Sequence, residues 1–210
     1  MNYKSRIKHD IDTARRYTQR KPEKHRAEMA LIARGFAEVS GVKRVLDAPC
    51  GVGRATLWLA QHGYEATGID LGAGAVAIAA KAVAAENIAA KILQDDIEQM
   101  KFADRSFDAT LCFRLIHHFP TPEIRERVIA ELCRVSDRYV LISYLSPWSP
   151  TSVRRRLRRT LFGTHDRQHT NSLGEISSYF DQQGFDLVKN IPQTRFLKSL
   201  QLAVFKRRGV

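Results

Sequence analysis

Two carboxylates at a fixed interval are the residues of this chain best placed to do chemistry. Val45-Leu46-Asp47 is a short apolar run ending in an acid, and Ala48-Pro49-Cys50-Gly51-Val52-Gly53-Arg54 follows as a glycine turn that opens a helix. Another 23 residues on from Asp47, a second strand-like run ends in Asp70. Glycine lets a backbone approach a ligand closely, and the helix behind the turn aims its free N–H groups at whatever lies over it. An acid at the end of the next strand suits a ribose diol, as in dinucleotide-binding folds. A glycine turn alone is weak evidence; two acids at this spacing, with the pair Asp95 and Asp96 further on, make the signal specific.

These residues must be held by regular elements, and the chain alternates between two periods. Strands are predicted at 44–46, 65–69, 91–93, 109–113 and 139–143. Helices are predicted between them over 54–61, 74–85 and 122–135, the last with Thr121 at its N-cap and Pro122 in its first turn. Ahead of the first strand, Met29, Ile32, Phe36 and Val39 recur at helical spacing over 24–39, and residues 1–23 read as a partly ordered basic arm. Ser172-Leu173-Gly174-Glu175 is a capping box, and Gly184 closes the helix it starts. Runs at 185–188 and 200–205 finish as strands with no helix between them. Alternating strands and helices imply an α/β, Rossmann-like, doubly wound and mostly parallel sheet of seven strands, with an antiparallel C-terminal hairpin strand.

Composition bounds the class. The 210 residues suffice for a single domain that buries a core without metals or disulfides. It divides into a helical arm or lid (1–40), a binding core (41–146), a basic insertion (147–171) and a closing helix and hairpin (172–210). Cys50, Cys112 and Cys133 form no CxxC pair, which fits a reducing compartment, and no spacing assigns a metal. No signal-like or 18-residue apolar run occurs, so a cytoplasmic location is expected. The net charge of +12 implies a polyanion or an anionic membrane surface nearby.

The C-terminal hairpin separates this pattern from a plain nicotinamide-binding domain. In that setting the segment Asp47 to Gly53 resembles the glycine-rich first motif of class I S-adenosylmethionine-dependent methyltransferases, and Asp70 resembles their ribose-binding acid. Gln94-Asp95-Asp96-Ile97-Glu98-Gln99-Met100-Lys101-Phe102 is similar to the family's third-strand segment, and Leu115-Ile116-His117-His118 to the segment after the fourth strand. The match runs in register from about Arg44 to Ser143. Pro49 departs from it, since glycine is usual there and proline fixes φ near −65°. Among such enzymes the layout is closest to ubiquinone-type O-methyltransferases and related methyltransferase type 11 proteins.

The resemblance implies S-adenosylmethionine as cofactor, S-adenosylhomocysteine as product, and a role for each residue. Asp47, with Ala48, Gly51 and Gly53, would orient the turn or, through backbone and water, the cofactor's amino group; Asp70, with Leu71 beside it, would take the ribose hydroxyls. Asp96 would accept the adenine amine, with Asp95 as the alternative, and Ile97 would cover the ring. Phe113 and Leu115 are contacts of the fourth strand's end, or core packing. His117 and His118 lie where the methyl should emerge. There a side chain with a pKa near 6.5 can deprotonate a phenol or hydroxyl, unless the pair only caps the following turn. Arg114 lies at the same rim, for a substrate anion or for solvent, and Tyr17, His25 and Arg26 are lid residues, with Arg26 as partner of the cofactor carboxylate.

One segment is unusual in its own right. From Trp148 to Phe162 the chain combines five arginines, among them Arg154, Arg155 and Arg158, with apolar residues at 153, 157 and 161. On a helix this is a narrow apolar stripe flanked by cations, a membrane-surface pattern in which each basic residue contributes about 1 kcal/mol near an anionic leaflet. A solvated helix on the sheet edge and a phosphate-binding patch are the other readings. The resemblance therefore implies methyl transfer to a hydroxyl of a small-molecule or lipid-linked acceptor, and the basic segment adds a peripheral position on the inner membrane face as an expectation. Two alternatives stand: an RNA methyltransferase acting at a 2′-oxygen or carbon, and a nucleotide-binding module without turnover. Phe113-Arg114-Leu115-Ile116 weighs against RNA base amines, because the Asn/Asp-Pro-Pro-aromatic motif that grips them is absent.

Overall fold

A computed structural model describes residues 22–150, 152, 168–194 and 199–210. Helix α1 (Pro22–Phe36) leads into β1 (Arg44–Asp47), α2 (Arg54–Gln61), β2 (Glu65–Asp70), α3 (Ala73–Ala85) and β3 (Lys91–Gln94). Then come β4 (Phe107–Cys112), a 3₁₀ turn (Ile116–His118), α4 (Pro122–Val135), β5 (Ser136–Leu145), α5 (Leu173–Gln182), β6 (Phe185–Pro192) and β7 (Leu200–Arg207). The strands make one seven-stranded sheet in the order β3-β2-β1-β4-β5-β7-β6. Strands β1 to β5 pair in parallel, and β7 runs antiparallel to both β5 and β6. The hairpin thus folds back so that its second strand enters beside β5 and its first takes the edge.

Period-2 alternation along the central strands divides the core between the two faces. Val140, Ile142 and Tyr144 of β5 join Ala203 and Phe205 of β7 under α4 and α5, where Phe180 stacks on Phe205 at 3.8 Å. Tyr139, Leu141 and Leu145 face the other way with Leu202 and Val204, against Leu31, Ile32 and Phe36 of α1 and Leu59 of α2. Each such large side chain contributes about 1.5–3 kcal/mol through removal from water.

Local signals explain the element ends. The Ser172 hydroxyl accepts the Glu175 N–H at 3.0 Å, so the capping box starts α5, and Gly184 leaves it at φ 75°. Thr121 holds the N-cap of α4 with Pro122 in the first turn, but its side chain makes no capping bond to the helix. The expected helix 24–39 begins two residues earlier and stops at Phe36, while Val39 packs against the core from the following loop. Strands β5, β6 and β7 exceed the expected runs because ladder pairing carries them past the apolar stretch; Tyr139 to Leu145 pair continuously with Lys206 to Leu200.

Candidate active site

Strand order reverses around β1, whose neighbours are β2 and β4, and crevices at the carboxyl ends of such strands are where open α/β sheets bind ligands. The register places Asp47 beside Gly68 on one side and Leu111 on the other. After Asp47 the backbone stays tied to both neighbours, Ala48 N–H to the Leu111 carbonyl at 2.9 Å and Cys50 N–H to the Ile69 carbonyl at 2.7 Å. The Ala48–Pro49 bond is cis, and the turn keeps these ties with proline in place of glycine. Gly53 is left-handed at φ 82°, and a Cβ there would stand 3.0 Å from the Ala79 Cβ. At Gly68 the requirement is space: a Cβ would meet Thr56 Oγ1 at 2.6 Å and the Cys50 Cβ at 2.9 Å.

Asp70 binds the turn from β2. Its Oδ2 accepts the Gly51 N–H at 3.0 Å and its Oδ1 the Gly72 N–H at 2.8 Å. An ionised carboxylate offers about four acceptor sites, so each oxygen of this half-buried group retains capacity for a diol. Asp47 is fully enclosed. Its Oδ2 accepts the Thr56 hydroxyl at 2.6 Å, its Oδ1 has no partner among the described residues, and burial pushes its pKa up to about 7.

Past β3 the two adjacent acids part company. Asp95 is buried, with Oδ1 accepting the Asp96 N–H at 2.9 Å and Oδ2 the Lys101 N–H at 3.0 Å. Asp96 is half-buried, and its Oδ1 accepts the Glu98 N–H at 3.0 Å. Asp95 therefore holds the loop, and Asp96 is the acid left nearer the surface. Half-buried Ile97 packs on the core from that loop, and Leu71 receives the Gln94 amide on its carbonyl at 3.0 Å.

At the end of β4, Phe113 and Leu115 are half-buried and pack on opposite core faces. Arg114 between them has φ 62°, and its N–H donates to the Ser143 hydroxyl at 2.6 Å. Its guanidinium reaches Glu28 Oε1 at 3.1 Å, while Arg54 reaches Glu28 Oε2 at 3.2 Å. Glu28 is only 1% exposed, so one buried carboxylate binds α1 to both the glycine turn and the end of β4. Arg26 is exposed on α1, and Glu28 is the α1 residue that reaches the turn. Two positions on a helix are about 200° apart, which puts the two side chains on different faces. Glu28 escaped notice because its signal is a pair of distant arginines. His25 stands 3.5 Å from Arg54 through Nδ1.

His117 is buried and His118 half-buried in the 3₁₀ turn, with ring centroids 4.3 Å apart. Trp148 is 83% exposed just past β5. Tyr17, Arg154, Arg155 and Arg158 lie outside the described residues. Among the described residues no helix is long and apolar enough to cross a membrane.

Residues 45–138 match the methyltransferase domain family. The ubiquinone biosynthesis O-methyltransferase of Salmonella paratyphi A is 28% identical over 148 residues, 67% of this chain and 60% of that protein. The chain thus spans about 60% of the length of that curated relative. The magnesium protoporphyrin IX methyltransferase of Synechocystis PCC 6803, solved with bound S-adenosylhomocysteine, superimposes with TM-score 0.70 at 21% identity, covering 88% of this chain and 82% of that one. The PH0226 protein of Pyrococcus horikoshii reaches 0.73 at 17% identity over 99% of both chains.

Proposed function

We propose that the chain, whose residues 45–138 match the methyltransferase domain family, is a class I S-adenosylmethionine-dependent methyltransferase that transfers a methyl group to a hydroxyl oxygen of a small, amphiphilic acceptor. The observation that carries this reading is the placement, at the carboxyl ends of β1 and β2 and just past β4, of Asp47, Asp70 and the turn bearing His117 and His118. When bound, S-adenosylmethionine supplies an already activated sulfonium methyl. Asp70, with Leu71 beside it, would hold the ribose hydroxyls, Asp47 would orient the turn or, through backbone and water, the amino group, Asp96 would accept the adenine amine, and Ile97 would cover the ring. What remains for the protein is alignment and removal of the hydroxyl proton. A ring nitrogen of His118, or of His117 behind it, receives that proton.

An oxygen acceptor is supported by the name of the Salmonella relative, and a small organic one by both named methyltransferases. Amphiphilic character is supported by exposed Trp148 next to the arginine-rich segment, which would rest on an anionic membrane face. The net charge of +12 favours one second reading, an RNA methyltransferase acting at a 2′-oxygen or carbon. Labelled S-adenosylmethionine offered with total lipid and with total RNA separates the two by where the label goes. Label in the lipid fraction supports the first reading and label in RNA the second. Cofactor binding without transfer to any acceptor leaves a nucleotide-binding module.

His117→Ala or His118→Ala should lower turnover about 100-fold with S-adenosylhomocysteine affinity unchanged. Full turnover in both variants would remove the general base and point to a softer nucleophile than a hydroxyl.

A further inference from the structure

The histidine-bearing turn is three residues long, and no side chain caps its start. Its position is set from outside. The Phe119 carbonyl accepts Arg125 Nη1 of α4 at 3.0 Å, and the His117 carbonyl accepts the His169 N–H at 2.8 Å. Arg125 is buried, and its Nη2 lies 2.9 Å from Glu175 Oε1 on α5. That same oxygen accepts Asn171 Nδ2 at 3.1 Å and the Tyr179 hydroxyl at 3.2 Å. Asn171 is anchored in turn, its N–H donating to the Leu145 carbonyl at 2.9 Å. Hydrogen bonds and two residues of chain therefore close a ring from His117 through Phe119, Arg125, Glu175 and Asn171 to His169 and back.

We propose that Glu175 is a positioning residue: through Arg125 and Asn171 it sets the His117–His118 turn against the chain segment 168–172, without touching the acceptor. This rests on the reading of the histidines as the proton-accepting pair. Three donors on one carboxylate oxygen come from α4, from α5 and from the segment returning to α5, so moving this oxygen moves all three. Stability alone does not account for the cluster. Asn171 Oδ1 and Arg125 Nε are buried without a partner among the described residues, a costly arrangement that a purely cohesive network would avoid. Networks of this kind act as a unit, and double-mutant cycles are the means of apportioning them.

The test uses the full chain and two readouts. In the first, ring Cε1–Hε1 resonances of His117 and His118 are followed by NMR, assigned through His117→Gln and His118→Gln. Glu175→Ala and the milder Asn171→Ala should displace both, Glu175→Gln should displace them less, and Glu126→Ala on the exposed side of α4 should leave them in place. The second is a kinetic cycle: Glu175→Ala should lower kcat about 10-fold or more at unchanged KM for S-adenosylmethionine, yet cost nothing further in a His118→Ala background. Unmoved resonances in the folded Asn171→Ala and Glu175→Gln variants, or fully additive kinetic losses, would overturn the positioning role. Moved resonances with full turnover in both histidine variants would instead retire the general base and keep the positioning.

Discussion

Asp47 carries the most unusual electrostatics of the site. Enclosure raises its pKa from 3.8 to about 7, against the help of the Thr56 hydrogen bond. A raised acid is penalised only when ionised, so the contribution of Asp47 to the stability of the unliganded protein is greatest below its unfolded pKa and is lost as pH climbs through about 4 to 7. The full loss is on the order of 4 kcal/mol. Asp47→Asn should flatten this slope in urea unfolding at pH 5 and pH 8; an unchanged slope would assign it to other groups. A bound ammonium favours the carboxylate, so S-adenosylhomocysteine should bind more tightly from pH 6 to 8 with release of a proton, read by calorimetry in buffers of different ionisation heat. At Asp70, Asp70→Ala should lose about 1.5–3 kcal/mol of that affinity, the range for a charged hydrogen-bonding group, and intact affinity would contradict the ribose role.

At the scale of elements, α1 is fastened to the site by Glu28, which bridges Arg54 of α2 and Arg114 beyond β4. Removing one member of a buried ionic group leaves the others uncompensated, which costs more than the intact group contributes. Glu28→Ala should therefore speed hydrogen exchange across α1 while β5 amides keep their protection. Equal protection in both proteins would show that apolar packing of Leu31, Ile32 and Phe36 holds the helix alone. The contact between α2 and α3 depends in the same way on Gly53. Gly53→Ala should cost at least about 1–2 kcal/mol, because a left-handed backbone disfavours any Cβ and this one would crowd Ala79. The midpoint of urea unfolding measures it.

Over the whole molecule the excess of 34 basic over 22 acidic residues gives +12, and five of those cations lie between Trp148 and Phe162. Arg154, Arg155 and Arg158 changed together to glutamate remove six units of charge, 12 − 6 leaving +6. The triple variant should fail to sediment with phosphatidylserine vesicles that retain the wild-type protein, while S-adenosylhomocysteine binding stays the same. Added salt should release the wild type, since charges are screened within about 8 Å at physiological ionic strength. Indifference to vesicles, together with RNA binding that weakens steeply with salt, would move the acceptor to nucleic acid.

What the sequence determined by itself was local. The interval from Asp47 to Asp70, the glycines between them, the alternation of periods and the Ser172–Glu175 box each act within a few residues, where turn chemistry and propensity operate. They were enough for the sheet, for the glycine turn that Asp70 binds and for the reversal in the final hairpin. Tertiary structure decided the rest, because it concerned which side chain faces which across long stretches of chain. Asp95 and Asp96 are neighbours of one type, and only the N–H groups of Asp96 and Lys101 turn the first into a loop brace. Arg26 and Glu28 lie two residues apart on α1, and the helix phase buries Glu28 against arginines 26 and 86 residues away while Arg26 is exposed. Glu175 had a local reading as a capping residue, while its side chain was committed to Arg125 and Asn171 by the packing of α5 on α4. A carboxylate's partner depends on how distant elements close around it, and sequence spacing does not carry that information.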